Sequence, residues 1–316
     1  MTAVSPARQP IVSGTAFALR DAWPWPAFER LARAGEGFGY RAVFLPEIAS
    51  RDAFAALAAL AGATSRLSLG TGVVPMGARR AGLTAMSVAT VHERSGGRAV
   101  LGIGTGPARP GALDELEAQV REIRSILDRT VGSAPDGSVL SLDRPVPIWI
   151  AALGPRAVAL AGRVADGVLL NWCTPERVAD ARARVAEAAE SAGRDPTSIT
   201  VAAYIRAAIG DGEPGSNGAR AALAEAAGEY SSYPAYRRQF DAMGVGAAAA
   251  TAAHDPRALD AVAPLLDAVC LTGERAHDRL AAYREAGCDL PVVYPVPFGD
   301  DRPGSVVSTL EALAPP

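Results

Sequence analysis

Residues 146–171 read VPIWIAALGPRAVALAGRVADGVLLN. Val146, Ile148, Trp149 and Ile150 make a short, β-rich apolar run without polar alternation, as a strand buried on both faces requires. Gly154-Pro155 ends it. Pro155 suits the first position of a helix, where its missing N–H would have found no partner. Val158, Leu160, Ala161 and Val164 follow on one helical face, and Ala165-Asp166-Gly167 leads into a second apolar run, Val168-Leu169-Leu170. The stretch is therefore a strand–helix–strand unit. Its helix, entered through glycine, presents free backbone N–H groups and a positive dipole end, which suit a phosphate. A plain packing unit would read the same way, so the stretch alone leaves both readings open.

The same alternation extends in both directions. Strands are expected at 11–19, 41–46, 67–74 and 98–104 on one side, and at 199–209 and 291–296 on the other. Between them lie helical patterns, the cleanest being Leu113, Leu116, Val120, Ile123 and Leu127. Thr174-Pro175-Glu176 combines a capping hydroxyl, a proline at the first position and an acid, a strong helix start. Residues 130–145 form a polar excursion. Residues 211–253 begin as a Gly-rich loop and continue as alanine-rich helical pieces carrying Tyr230, Tyr233, Tyr236 and Phe240. They read as an insertion after the seventh strand of a single domain spanning 1–316. Eight buried strands alternating with helices imply an α/β protein, a closed (β/α)8 barrel. The rival, an open dinucleotide-binding sheet, needs G-x-G-x-x-G after its first strand. Here Gly14 stands alone.

Composition narrows the chemistry. All 31 basic residues are arginine, so a lysine Schiff base is excluded. A formal charge of −3 gives no electrostatic case for nucleic acid or an anionic membrane. Cys173, Cys270 and Cys288 lack metal-binding spacing and read as reduced thiols, and His92, His254 and His277 are too scattered for a metal cluster. The N-terminal MTAVSPARQP carries no apolar run, as a signal peptide would need, and the richest apolar window, Ala53–Ala63, is too short to span a membrane, so a cytoplasmic enzyme of small molecules is expected.

In a barrel, chemistry gathers where the strands end. Those ends deliver Thr15 and Phe17, Pro46 and Glu47, Gly72, Val73 and Val74, and Gly104, Thr105 and Gly106. They also deliver Ala152, Leu153 and Gly154, Asn171 and Trp172, Tyr204 and Arg206, and Tyr294 and Phe298. Glu47 is the one carboxylate among them; its competing roles are to cap the second helix or pair with Arg51. The alternating glycines 102, 104 and 106 suggest close ligand approach, or mere packing. Arg79 or Arg80 is placed to reach an anionic tail or to sit in solvent. A glycine-lined aromatic mouth with one acid suits a flat cofactor, which would carry the chemistry while the protein orients it.

Several segments resemble the luciferase-like monooxygenase superfamily, and within it the deazaflavin-dependent reductases of the methylenetetrahydromethanopterin type. They are ATSRLSLGTGVVP (63–75), SGGRAVLGIGTG (95–106), residues 146–171, TPERVADARARVAEAAESAGRDPTSITV (174–201) and the REAGCDLPVVYP ending. The resemblance implies a deazaflavin (coenzyme F420), or alternatively FMN, at the strand C-termini. It places a non-proline cis bond at Gly72-Val73 behind the ring and a phosphate grip at Leu153, Gly154 and Pro155, flanked by Ala152. Glu47 would face the substrate as proton donor or acceptor, Gly104 and Thr105 would line the cofactor bed, and Asn171 would lie at its rim. The function implied is hydride transfer to or from a small organic substrate. The alternatives are FMN-dependent monooxygenation and a barrel that binds flavin without turnover. The segment Gly77-Ala78-Arg79-Arg80-Ala81 lacks the family's usual proline. A homodimer through the second and third helices is expected.

Overall fold

Alternating apolar strands and amphipathic helices fold as the sequence pattern requires. The computed structural model describes residues 14–20, 23–48, 51–107, 109–132, 140–210 and 217–316, with the side chain of Asn217 excepted. Eight parallel strands close the barrel: β1 (Ala16–Ala18), β2 (Ala42–Leu45), β3 (Ser68–Thr71), β5 (Ala99–Gly104), β6 (Ile148–Ala151), β7 (Gly167–Asn171), β8 (Thr200–Ala207) and β10 (Leu290–Pro295). β10 pairs with both β1 and β8, which leaves no open edge. Two short pieces extend this set. β4 (Val74–Pro75) resumes the third strand and pairs with β5, and β9 (Cys270–Leu271) adds to the end of β8.

The helices are α1 (Trp25–Gly37), α2 (Ala53–Ala63), α3 (Ala81–Arg94), α4 (Ala112–Asp128), α5 (Pro155–Val164), α6 (Pro175–Ser191), α7 (Asn217–Ser231), α8 (Pro234–Ala242), α9 (Gly246–His254), α10 (Leu259–Val269), α11 (Ala276–Glu285) and α12 (Arg302–Ala312). α5 starts at Pro155 with Gly154 at its N-cap, and Thr174 caps α6 by accepting the Arg177 N–H.

Small residues on one part of the barrel lining make room for large ones on the other. Ala16, Ala18, Ala42 and Ala202 share the interior with Phe44, Trp149, Tyr204 and Tyr294. Phe44 stacks on Trp149 with centroids 5.4 Å apart. Gly167 lets Trp149 lie flat across β7, since a Cβ there would come within 2.6 Å of the indole Nε1. A larger apolar layer joins barrel and helices, and a third cluster lies under α7 to α10.

Three boundaries differ from the sequence reading. β1 is described only as Ala16–Ala18, with residues 11–13 outside the described set. The third strand is broken between Thr71 and Val74. The helical excursion after β8 continues through α10, past residue 253, because Val262, Leu265 and Leu266 are buried in the same apolar cluster as α7 and α9. No helix among the described residues is long and apolar enough to cross a membrane.

Candidate active site

The break in the third strand forms one wall of the barrel mouth. The Gly72-Val73 peptide bond is cis. The Gly72 N–H donates to the Leu45 carbonyl (2.8 Å), and Val73 returns a carbonyl to the Glu47 N–H (3.2 Å). Thr71 Oγ1 donates to the Gly102 carbonyl (2.7 Å) and accepts the Gly102 N–H (2.8 Å), tying the turn to β5. From the opposite side, buried Tyr204 donates its hydroxyl to the Gly72 carbonyl (2.9 Å). The glycines of β5 serve this turn. A Cβ at Gly102 would lie 2.1 Å from the Thr71 carbonyl oxygen, and one at Gly104 would lie 3.1 Å from Val73 Cγ2. They make room for the turn, which favours packing over ligand approach at those two positions. Thr105, just beyond, donates to the Gly106 carbonyl (3.0 Å).

A second wall is the entry to α5. The Ala152 N–H is used by the Leu169 carbonyl (3.1 Å), whereas the Leu153 and Gly154 N–H groups meet no acceptor among the described residues. Gly154 has an ordinary φ of −98°. A Cβ on it would touch nothing within 4 Å. Neither conformation nor packing demands glycine here; its effect is to leave the helix N-terminus uncovered. Leu153, Pro155, Asn171, Arg177, Asp180 and Arg184 are among the residues lining the adjoining cleft, where Arg177 is paired with Asp180 (3.6 Å). Free backbone donors, a helix dipole and nearby guanidinium groups fit a cofactor phosphate.

Glu47 departs from its expected part as a free acid. Its Oε1 accepts Arg79 Nε (2.9 Å), its Oε2 accepts Arg79 Nη2 (3.0 Å), and Oε2 also accepts the Ala53 N–H at the start of α2 (3.0 Å). Asp52 binds the same guanidinium and caps α2 through the Ala55 N–H. The Glu47 carboxylate raises the Arg79 pKa further, fixing it as a cation. Arg79 thus closes a carboxylate cluster over Phe54 instead of reaching for a cofactor tail.

The third wall joins β7 and β8 to the helical excursion. Asn171 accepts Arg206 Nη1 on its Oδ1 (2.5 Å) and donates Nδ2 to the Tyr236 hydroxyl (2.7 Å). Gln239 of α8 donates to the Asn171 and Trp172 carbonyls (2.8 and 2.5 Å). Trp172 adopts a positive φ of 50°. Arg206 is 3% exposed and lies against Tyr294 (4.1 Å), Trp172 (4.7 Å), Tyr230 (5.1 Å) and Tyr204 (5.7 Å). Burial pushes the Tyr294 hydroxyl up to about 12 and raises Tyr204 well above its ordinary value, so both stay protonated at neutral pH. Desolvation likewise pushes Cys173 and Cys270 up to about 12, which rules out thiolate chemistry there near neutrality.

The structure brings together Glu47, Gly72 and Val73 on one side and Ala152, Leu153, Asn171 and Arg206 on the other. The sequence named Tyr230, Tyr236 and Phe240 as a cluster without placing them. Gln239 it missed, since a lone glutamine on an α-helix carries no signal.

Comparison with known proteins agrees with this architecture. A family model described as luciferase-like monooxygenase matches residues 7–290. The 5,10-methylenetetrahydromethanopterin reductase of Methanolobus tindarius is 34% identical over 192 residues, covering 55% of this chain and 58% of that protein. The matched part thus spans somewhat over half of the relative's length. The coenzyme F420-dependent tetrahydromethanopterin reductase of Methanopyrus kandleri superposes with a TM-score of 0.75 at 20% identity, over 95% of this chain and 98% of that one. The oxygenating constituent of 3,6-diketocamphane monooxygenase from Pseudomonas putida, in complex with FMN, gives a TM-score of 0.69 at 16% identity, over 96% and 97%.

Proposed function

As the chain belongs to the luciferase-like monooxygenase family and is an oxidoreductase, we propose that it works with coenzyme F420, exchanging hydride with a small organic substrate. The observation that carries this reading is the pairing of two features at one barrel mouth. The turn at Gly72-Val73 offers a shelf for a flat ring, and the uncovered α5 N-terminus offers donors to a phosphate on the ring's tether. The segments that resemble the deazaflavin-dependent reductases, together with a relative named as a methylenetetrahydromethanopterin reductase and a fold neighbour named for coenzyme F420, support F420 over FMN.

When bound, the deazaflavin would supply a carbon that accepts or releases hydride. The protein's part is positioning. Val73, packed on Gly102 and Gly104, would bear on one face of the ring. Leu153 and Gly154 would bind the phosphate through their N–H groups, with Ala152 and Pro155 shaping the approach and Asn171 at the rim. Gly104 and Thr105 would border the bed on the β5 side. Glu47 enters as the clamp on Arg79 and α2, its two oxygens already accepting three hydrogen bonds.

Titration with oxidised F420 and with FMN, followed by cofactor fluorescence, tests the reading. Micromolar binding of F420, and oxygen uptake by added reduced FMN no different from a protein-free control, is the expected result. A protein-dependent change in that uptake, coupled to oxygenation of an organic substrate, would establish the monooxygenase alternative, and binding of neither cofactor would remove the assignment. Self-association is also proposed: Leu83 and Met86 of α3 are 49% and 61% exposed, an apolar pair that a second copy would cover. Light scattering of the eluted protein would read a dimer mass.

A further inference from the structure

We propose that Arg206 is the seat of a carboxylate carried by the substrate. A guanidinium taken this far out of water is ordinarily matched by an acid, because desolvating an unpaired charge is costly. Arg206 has no such match among the described residues. Its hydrogen bond goes to the neutral amide of Asn171 through Nη1. Glu229 of α7, an acid close enough to act on Tyr294, is bound instead to Arg20 (3.2 Å).

Among the described residues Nε and Nη2 make no hydrogen bond, and neither is among the fully buried unpartnered atoms, so the edge they form still reaches solvent at the mouth. That edge is the fork that meets the two oxygens of a carboxylate side by side. A second donor in the same box is also without a partner: Trp172 Nε1 is buried and unbonded, on the ring that Arg206 overlies. A cation lacking an anion and an indole N–H lacking an acceptor, in one aromatic enclosure, describe the complement of an oxyanion. The positive charge available is a single guanidinium with Arg20 already neutralised, which suits a monoanion better than a phosphate dianion. The walls of Tyr204, Tyr230 and Tyr294 suit an apolar or aromatic body attached to it.

Register fixes where the anion would sit. Tyr204 and Arg206 are two apart on β8 and so point the same way. Tyr204 reaches the Gly72 carbonyl, so Arg206 lies one layer nearer the strand C-termini, on the mouth side of the turn at Gly72-Val73. Tyr230 of α7 and Tyr236 of α8 form the outer wall, so the acid would enter by displacing rings of the helical excursion. That the acid belongs to the substrate rests on the oxidoreductase reading; the anion site itself does not.

Trp172 provides the readout, because it touches the cation. Benzoate is titrated into the cofactor-free protein, with benzamide as the uncharged isostere and inorganic phosphate as the competing anion. Expected is a saturable change in tryptophan fluorescence with benzoate, absent with benzamide and lost in Trp172→Phe. Arg206→Gln should weaken benzoate about 10- to 100-fold, and Arg206→Lys, which keeps the charge but not the fork, should fall between. If Arg206→Gln does not fold, the Arg206→Lys shift and the benzamide comparison still decide. Equal binding of benzoate and benzamide, tighter binding of phosphate, unchanged affinity in the variants, or no saturable response overturns the proposal. F420 titration of the same variants separates the two readings. Loss of F420 binding in Arg206→Gln would assign the cation to the cofactor and overturn this inference. Failure of F420 to bind the parent protein, with benzoate binding intact, would remove the cofactor reading alone.

Discussion

Arg79 and Arg206 both lie against aromatic rings at the barrel mouth, yet Arg79 is bound by the carboxylates of Glu47 and Asp52, and Arg206 by none among the described residues. The Arg79 side is closed on itself. Its cation is held by two carboxylates, those carboxylates cap α2, and its backbone is locked into β5 through Thr71 and Gly102. The Arg206 side is open in the chemical sense: donors are in place and acceptors are missing. The difference teaches how to read a charged residue at a barrel mouth. Position there makes it a candidate, but its partners decide whether it holds the protein together or waits for a ligand. Changes on the closed side should therefore cost stability, and changes on the open side should cost binding.

The largest effect is expected from Gly102→Ala. The new Cβ would lie 2.1 Å from the Thr71 carbonyl oxygen, a backbone atom that cannot rotate away. Displacing the turn would also break both Thr71–Gly102 hydrogen bonds. A loss of about 3 kcal/mol or more is expected, read as a lower urea midpoint or as insoluble protein. A midpoint within error of the parent would show that the wall is not locked as described.

Glu47→Ala comes next. It would remove two hydrogen bonds to Arg79 and one to the α2 N-terminus from side chains that are 13–14% exposed. Leaving a mostly buried guanidinium half paired should cost about 2–3 kcal/mol. Glu47→Gln keeps an acceptor for Ala53 and should recover part of the loss. Activity per folded molecule should survive in Glu47→Gln if the carboxylate is a clamp; a complete loss of turnover in a well-folded Glu47→Gln protein would restore it as the proton carrier.

Glu47 and Arg206 also show what a sequence reveals and where it stops. The barrel was legible because apolar runs and 3.6-residue periods are local signals, and the Gly154-Pro155 helix entry was legible because its rules span four residues. The turn after Thr71 could be placed at Gly72-Val73 through family resemblance. The fate of Glu47 was half legible: its contact with the start of the second helix was among its expected roles, but its ion-pair partner is Arg79, 32 positions away, where the chain nearby offered Arg51. Arg206 was on the list of strand-end residues but carried no distinction there. Its isolation depends on where every acid in the protein ends up, which is a property of the whole fold. The tyrosines of α7 and α8 became informative only once the excursion had folded back over β7.

Arg206→Met tests the open side, and its expected effect on stability is small. Removing a buried cation that lacks a counter-ion among the described residues relieves desolvation, while the ring contacts it gives up are worth something of similar size. The urea midpoint should correspond to a change within about 1 kcal/mol in either direction. A loss as large as that of Glu47→Ala would make Arg206 a structural residue and erase the contrast between the two sides.

The smallest expected effect is a difference in acid sensitivity, and it comes from Asp52. Burial acts to raise its pKa, but the Ala55 N–H and Arg79 outweigh it, and the net shift is downward. A carboxyl whose pKa is lower in the folded protein stabilises the fold above its unfolded value, about 3.8, and loses that contribution as pH falls through the folded value. Between pH 5 and pH 3 the parent should therefore lose more stability than Asp52→Asn, which keeps a capping side chain but cannot titrate. Asp52 is 46% exposed, so the excess should stay below about 1 kcal/mol. Arg206 has no acid partner among the described residues, so Arg206→Met should follow the parent's acid curve. Parallel curves for the parent and Asp52→Asn would mean that the closed side owes nothing to this carboxylate, leaving Glu47 as the acid that balances Arg79.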